Sequence, residues 1–119
     1  MSADKDIYKV KMVLVGESGV GKTNIARIFK GDYFDEEYIQ TYGADYALRT
    51  SSIKNKTIEF FLWDTAGKDF HNPKMMKMLC SGKQAILLVY DITNKKSFDE
   101  LKKFCIKDIK KAYPNVKCK

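Results

Sequence analysis

Apolar and polar positions along the chain change period in a way that predicts alternating strands and helices. Residues 8–15 (YKVKMVLV) alternate and then become fully apolar, which is typical of a strand entering a covered sheet. Residues 22–30 carry Ile25, Ile28 and Phe29 at helical spacing. A strand followed by a helix is the first sign of an α/β arrangement.

The middle of the chain repeats this alternation. Two strand-like runs, 45–53 and 57–63, flank Lys54-Asn55-Lys56, which indicates a hairpin. A short helix is predicted over 74–81, before Gly82, and a buried strand over 85–90. The polar stretch 32–44 and residues 65–73 are predicted to be loops.

A last helix is predicted near the end of the chain. Ser97 is expected to cap it, with Glu100 three residues later completing a capping box. Apolar side chains recur at 3.6-residue spacing, and we expect them to face the core: Leu101, Phe104, Cys105, Ile109 and Ala112. Pro114 lies just beyond the expected end of this helix.

Composition restricts the class of protein. The 119 residues suit one small domain, residues 1–119, and 45% apolar content indicates a globular chain. The longest apolar run, 85–90, is too short to span a bilayer, and the first residues do not resemble a secretory signal. Three cysteines without CxxC spacing favour a reducing, cytoplasmic setting.

The net charge of +7 is concentrated near the end of the chain, where residues 95–119 hold nine lysines against three acidic residues. A basic helix can contact nucleic acid or an anionic membrane, but it can also be a solvated face. No aromatic stripe or nucleic-acid motif accompanies the lysines. We therefore favour the solvated face and expect no nucleic-acid partner.

The strongest chemical signal is GESGVGKT at 16–23, which fits the phosphate-loop pattern G-x-x-x-x-G-K-[ST]. Gly19 and Gly21 permit a turn in which successive backbone N–H groups face one anion. Lys22 supplies a full positive charge, and Thr23 offers a hydroxyl to Mg²⁺. The nucleotide-binding candidates in this segment are Gly16, Glu17, Ser18, Gly19, Val20, Gly21, Lys22, Thr23 and Asn24.

Three further stretches separate a GTPase from other phosphate-loop proteins: YIQTYGADY at 38–46, WDTAG at 63–67 and LVYDIT at 88–93. In this order the chain resembles the small GTPases, and within them the Rab branch. The resemblance covers residues 8 to about 113. It implies a P-loop NTPase fold of α/β class with a doubly wound, mostly parallel sheet. It also implies a switch protein in vesicle traffic that binds GTP or GDP with Mg²⁺.

The resemblance also implies roles for single residues. Lys22 and the backbone of 19–23 would hold the outer phosphates, and the N–H of Gly67 would contact the γ-phosphate. Thr23 and Thr41 would be Mg²⁺ ligands, Thr41 only with a triphosphate, and Asp64 would reach the metal through water. Regulators and effectors would contact loops 36–46 and 65–80.

Lys68 departs from the family pattern, which has Gln at this position to orient the attacking water. A lysine has three donors and no acceptor, so it cannot hold a water that must also lose a proton. Its charge could still pair with the γ-phosphate. We place Lys68 and Thr41 among the catalytic positions and expect slow GTP hydrolysis.

The guanine-reading Asn-Lys-x-Asp and Ser-Ala-Lys segments of the family do not occur in these residues. The chain is expected to form the N-terminal half of the fold, about four strands and three helices, either as a fragment or as a naturally short relative. A scaffold with a degraded nucleotide site is the alternative. The strand at 85–90 would then be an apolar edge, which predicts self-association. Membrane association is not encoded here, although a lipidated C-terminus elsewhere would place the protein on endomembranes.

Overall fold

The computed structural model describes residues 6–30 and 46–117, except for the side chain of Lys68. The strands are β1 (Ile7–Val15), β2 (Tyr46–Ile53), β3 (Lys56–Asp64) and β4 (Ala85–Leu88). The helices are α1 (Lys22–Lys30), α2 (Pro73–Cys80) and α3 (Lys95–Phe104), with a 3₁₀-helix (Gly67–His71) before α2. A π-helical segment (Cys105–Ile109) and a last α-helical turn (Lys110–Ala112) continue α3.

The four strands form one sheet in the order β2-β3-β1-β4. β1 is parallel to both β3 and β4, whereas β2 and β3 form an antiparallel hairpin. Lys54 and Asn55 form the two-residue loop of this hairpin, and both have positive φ, as a tight hairpin turn requires. The mostly parallel sheet predicted from the sequence is confirmed.

Helices cover both faces of the sheet. On one face, Val13 and Val15 of β1 pack with buried side chains of α2 and α3 and with Phe70. On the other face, Leu14 packs with Ala26 of α1 and with buried side chains of the hairpin. Successive residues of β1 therefore enter opposite cores, which explains why the end of this strand is apolar at every position. The doubly wound α/β class is confirmed.

The predicted cap of the third helix is wrong. Asn94 is the N-cap residue, and its side-chain oxygen accepts a hydrogen bond from the N–H of Ser97 at 3.3 Å. Ser97 lies inside the first turn and is fully buried. Its hydroxyl donates to the carbonyl oxygen of Asn94 at 2.7 Å and accepts from the N–H of Asp91 at 3.0 Å. The helix therefore begins earlier because Asn94 competes successfully for the cap position.

The π-helical segment changes the face that the end of this helix buries. The N–H of Lys110 bonds to the carbonyl of Cys105, five residues back. The wider turn keeps Phe104 and Ile109 in the core, whereas Ala112 is exposed. The expectation that Ala112 faces the core is wrong because a constant 3.6-residue period does not hold across the segment.

In α1 and α2, some of the apolar residues are buried and others are exposed to solvent. In α1, Ala26 is buried whereas Ile25 is 42% exposed and Ile28 is 72% exposed. In α2, Met76 is buried and Met78 is exposed. The apolar residues of α2 are thus divided between core and surface. Within the described residues, no helix has the length and apolar character needed to cross a bilayer.

Candidate functional site

The loop between β1 and α1 has the conformation of an anion cradle. Gly19 and Gly21 have φ values of 81° and 102°, which side chains other than that of glycine rarely adopt. The N–H of Ile25 bonds to the carbonyl of Gly21 at 3.1 Å, so α1 begins directly behind the loop. The helix N-terminus therefore adds its unsatisfied N–H groups to those of the loop.

Lys22, the first residue of α1, reaches back over this loop. Its Nζ donates hydrogen bonds to the carbonyl oxygens of Gly16 and Glu17, both at 2.7 Å. Burial lowers the pKa of Lys22, and the carboxylates of Asp64 and Glu17 oppose that shift. An ammonium has three N–H donors. Within the described residues, two of these N–H donors bond to the loop carbonyls, and the third is available to an anion.

Thr23 and Asp64 meet although 41 positions separate them in the sequence. The hydroxyl of Thr23 donates to Oδ2 of Asp64 at 2.6 Å. Oδ1 of Asp64 is buried and has no hydrogen-bond partner among the described residues. A hydroxyl beside a carboxylate with one uncommitted oxygen is an all-oxygen donor set of the kind that Mg²⁺ prefers. These two residues fit the Mg²⁺ that the fold implies.

The segment after β3 lies directly against the phosphate loop. A Cβ built on Gly67 would collide with the backbone of Ser18, so only glycine permits this approach. The hydroxyl of Thr65 donates to the carbonyl of Leu14 at 2.8 Å and fixes the segment to β1. The backbone N–H of Gly67 is therefore held beside the loop that the sequence predicted to bind phosphates.

Comparison with known proteins agrees with this geometry. The Ras family model matches residues 11–118. The chain is 44% identical to the Ras-related protein Rab-10 of Caenorhabditis elegans over 79% of this chain and 46% of that protein. It is 42% identical to the human Ras-related protein Rab-8B over 80% of this chain and 45% of that protein. It is 35% identical to the Ras-related protein Rab-1 of Theileria annulata over 94% of this chain and 50% of that protein.

The chain belongs to the Ras family. The relatives in this comparison are Rab proteins, so the Rab-like resemblance found in the sequence is confirmed. The chain spans about half the length of the curated relatives it matches.

The end of the fourth strand supports the Ras-family phosphate loop from the other side. A Cβ on Gly16 would collide with the carbonyl oxygen of Val89, so the loop leaves β1 in contact with the chain beyond β4. The next turn is fixed by Asp91, whose Oδ1 accepts from the N–H and the hydroxyl of Thr93 at 2.8 and 2.6 Å. These hydrogen bonds lower the pKa of Asp91. The LVYDIT stretch thus leads from β4 into a hydrogen-bonded turn, and Val89 itself is held to β1 by its N–H, which bonds to the carbonyl of Val15 at 2.9 Å.

Sequence reasoning missed one contact of the site. Nε2 of His71 lies 2.9 Å from both carboxylate oxygens of Glu17, and a carboxylate oxygen of Glu100 is close by. In the sequence, Glu17 is distinguished only by its place in the phosphate loop. No spacing rule joins positions so far apart; the only available signal was that His71 is the single histidine of the chain.

The remaining predicted site residues are less informative. Thr41 lies outside the described residues, as does the side chain of Lys68, whose backbone lies in the 3₁₀-helix. Asn24 is exposed on α1, and Val20 is half-buried in the loop. The structure thus brings the phosphate loop, Thr23, Asp64 and Gly67 together, and it leaves the roles of Thr41 and Lys68 as expectations from the sequence.

Proposed function

We propose that this chain is a Rab-type switch protein that binds GTP or GDP together with Mg²⁺. The observation that carries the proposal is the pairing of Thr23 with Asp64 beside the cradle closed by Lys22. Oδ1 of Asp64 is buried and, within the described residues, uncommitted. Such an oxygen is costly to leave without a partner, and a hard cation would satisfy it.

The proposed roles belong partly to polar and charged side chains and partly to backbone N–H groups. Lys22 and the N–H groups of the loop bind the outer phosphates, and Gly67 contributes an N–H next to Ser18. Thr23 and Asp64 hold Mg²⁺, with Thr41 as a further ligand in the triphosphate state. When bound, the metal neutralises phosphate charge. The proposed roles of Thr23 and Asp64 are supported by their hydrogen bond, and that of Gly67 by its close approach to Ser18. The role of Thr41 rests on the Rab resemblance alone.

Hydrolysis of GTP is proposed to be slow. Phosphoryl transfer in this family depends on a positioned water, and Lys68 has no acceptor with which to orient it. A lysine charge that contacts the triphosphate equally before and during the reaction stabilises both states and does not accelerate the step. The same charge would prolong the triphosphate state of the switch.

Partner binding is proposed at loops 36–46 and 65–80, as the Rab resemblance implies. Among the described residues, three half-buried aromatic rings of the β2–β3 hairpin support this partner-binding surface. The Tyr46 ring lies 5.4 Å from that of Phe61 and 5.2 Å from that of Trp63. Aromatic side chains are enriched at the centres of protein interfaces. From the same resemblance we propose a role in vesicle traffic. The protein would be cytoplasmic and peripherally bound to membranes.

The proposal is tested by titrating the purified protein with fluorescent GDP and GTP, with and without Mg²⁺. Lys22→Ala should weaken nucleotide binding by about tenfold or more, because a charge-assisted contact to phosphate is lost. Lys95→Ala, which removes the same charge from an exposed site on α3, should leave binding unchanged. Circular dichroism of each variant excludes loss of fold as the cause.

The alternative, a scaffold with a degraded nucleotide site, is favoured by one observation: the family's Gln is replaced by Lys68. It predicts that a folded wild-type protein binds neither nucleotide at micromolar concentration. Equal binding by wild type and Lys22→Ala would also contradict the proposed site.

A further inference from the structure

Three potential metal ligands converge next to the phosphate loop but outside the predicted Mg²⁺ site. They come from three separate parts of the chain: Glu17 from the loop, His71 from the end of the 3₁₀-helix and Glu100 from α3. One ligand atom from each lies within 4.8 Å of the other two. The two carboxylate groups are largely shielded, with 17% and 25% of their side chains exposed, whereas that of His71 is 52% exposed.

The backbone around this cluster is held by the core. Phe70, which precedes His71, is buried and packs edge-on against Phe104 of α3 with ring centroids 5.5 Å apart. The His71 ring packs edge-on against Phe70 with centroids 5.1 Å apart. The imidazole and the Glu100 carboxylate therefore sit on two elements already joined by buried side chains. Ordering such ligands costs less conformational entropy than ordering free side chains.

We propose that Glu17, His71 and Glu100 bind one divalent transition-metal ion, for which Zn²⁺ is the probe. Imidazole nitrogen and carboxylate oxygen together are a donor set typical of zinc. Three protein ligands leave a fourth tetrahedral position for water. The donor set of Thr23 and Asp64 contains only oxygen, so the two sites differ in the metal they select.

A lysine competes with the metal for this site. Nζ of Lys103 lies 3.8 Å from Oε1 of Glu100, one turn along the exposed side of α3. It partly neutralises a carboxylate that the ion would use. Exposed pairs of this kind are weak, so a metal ion can replace the ammonium. The pair also yields a test, because removing Lys103 should strengthen metal binding, whereas removing a ligand should weaken it.

Metal binding would connect three segments of the fold. The ion would join the phosphate loop through Glu17, the segment after Gly67 through His71, and α3 through Glu100. Because these groups are brought together only in the folded chain, the metal should raise the midpoint of thermal unfolding. This site rests on the described geometry and does not depend on nucleotide binding.

The test uses metal-free protein titrated with Zn²⁺ against a competing chromophoric chelator, in excess Mg²⁺ to saturate oxygen-only sites. His71→Gln and Glu100→Gln should each weaken Zn²⁺ binding by about tenfold or more. Even residues that only hydrogen-bond to metal ligands commonly contribute that much to metal affinity. Lys103→Gln should strengthen binding. Asp99→Asn and Lys102→Gln remove the same charges from neighbouring exposed positions of α3 and should leave the affinity unchanged.

Two spectroscopic measurements decide where the metal lies. The chain contains one histidine, so the ¹⁵N shift of the His71 ring reports imidazole coordination without ambiguity. Replacing Zn²⁺ by Co²⁺ distinguishes nitrogen and oxygen ligands from the cysteine thiols, because thiolate ligands produce intense near-ultraviolet charge-transfer bands. We expect a shifted Nε2 signal and no thiolate bands.

Several results would overturn the proposal. One is Zn²⁺ binding that His71→Gln and Glu100→Gln leave unchanged. Another is the appearance of thiolate bands, which would place the metal on the cysteines. An unchanged imidazole signal and thermal midpoint in excess Zn²⁺ would show that Glu17 and His71 form only a hydrogen bond.

Discussion

Lys22 illustrates how a single residue of the site combines a structural and a functional demand. Its ammonium is buried, and burial opposes its charge, yet two loop carbonyls and two nearby carboxylates favour that charge. The residue therefore holds the loop closed while keeping a positive charge at its centre. Neutral side chains could not do both, because an uncharged group would leave the two carbonyls without strong donors.

The sequence predicted the local chemistry of the site better than its long-range contacts. The spacing of Gly19, Gly21, Lys22 and Thr23 sufficed for the phosphate loop because all four residues act through one turn of backbone. For Thr23 and Asp64 the family resemblance implied a shared metal site, whereas their direct hydrogen bond is seen only in the structure. The contact of His71 with Glu17 depends on how the 3₁₀-helix packs, and the amino-acid pattern does not contain that information.

The first prediction at the scale of a residue concerns Lys68. Replacing it with Gln should raise intrinsic GTP hydrolysis, because Gln can accept from and donate to the attacking water whereas Lys can only donate. Positioned proton-transfer groups typically contribute about 10²–10⁴-fold, so a rise of about tenfold or more is a conservative expectation. Phosphate release in a single turnover from GTP-loaded protein measures it.

Lys74→Gln is the matched control, because it removes the same charge from an exposed position of α2. It should leave the hydrolysis rate unchanged. Faster release by the wild type than by Lys68→Gln would show that Lys68 promotes the reaction, and the proposed bias toward the triphosphate state would be wrong.

At the scale of elements, the sequence predicted the four strands and the main α-helices of the described residues. It missed the 3₁₀-helix, because the pattern of residues 65–73 predicts a loop, and it misplaced some ends, such as that of β4 at Leu88. Asn94 rather than Ser97 caps α3 because the side-chain oxygen of Asn94 can accept a hydrogen bond from the N–H of Ser97, three residues later. The π-helical segment displaced Ala112 because Phe104 and Ile109 gain burial from a wider turn. In both cases a tertiary or side-chain contact outweighed a periodic pattern, and one sequence cannot show which contact will dominate.

A second prediction concerns the turn between β4 and α3. Asp91→Asn should lower stability at pH 7, because the carboxylate that accepts two hydrogen bonds from Thr93 is replaced by a neutral amide. The folded-state pKa of Asp91 lies below its ordinary value of 3.8. Its contribution is therefore fully present above the unfolded pKa and is lost as the pH falls through the folded value.

Urea unfolding of both proteins as a function of pH measures this effect. The difference in stability should be constant near neutral pH and should disappear at the acidic end, where both side chains are uncharged. Asp99→Asn, in an exposed position on α3, controls for the general loss of one negative charge. A difference that persists unchanged at low pH would show that the hydrogen bonds of the amide, rather than the charge, are responsible.

At the scale of the whole molecule, the sheet formed by the described residues has two unlike edges. β2 borders one edge as half of an antiparallel hairpin, and β4 borders the other as a four-residue parallel strand. Leu87 and Leu88 of β4 are each 39% exposed. A groove of about 730 Å³ runs along this edge between β4 and the chain after α3, with Cys80, Ile109 and Tyr113 among its lining residues. An accessible apolar edge is a template for pairing with another chain.

The last prediction is that the 119-residue chain self-associates through β4. Two copies related by a two-fold axis would pair their β4 strands antiparallel and continue the sheet across the interface. Leu88→Lys should shift the protein toward monomer because a charge at an edge strand opposes pairing.

Ile28→Lys is the matched control, since it adds the same charge on α1, on the other face of the sheet. Light scattering at micromolar concentrations measures the mass of each protein. A wild type that stays monomeric throughout, or a control that dissociates as readily as Leu88→Lys, would exclude association through this edge.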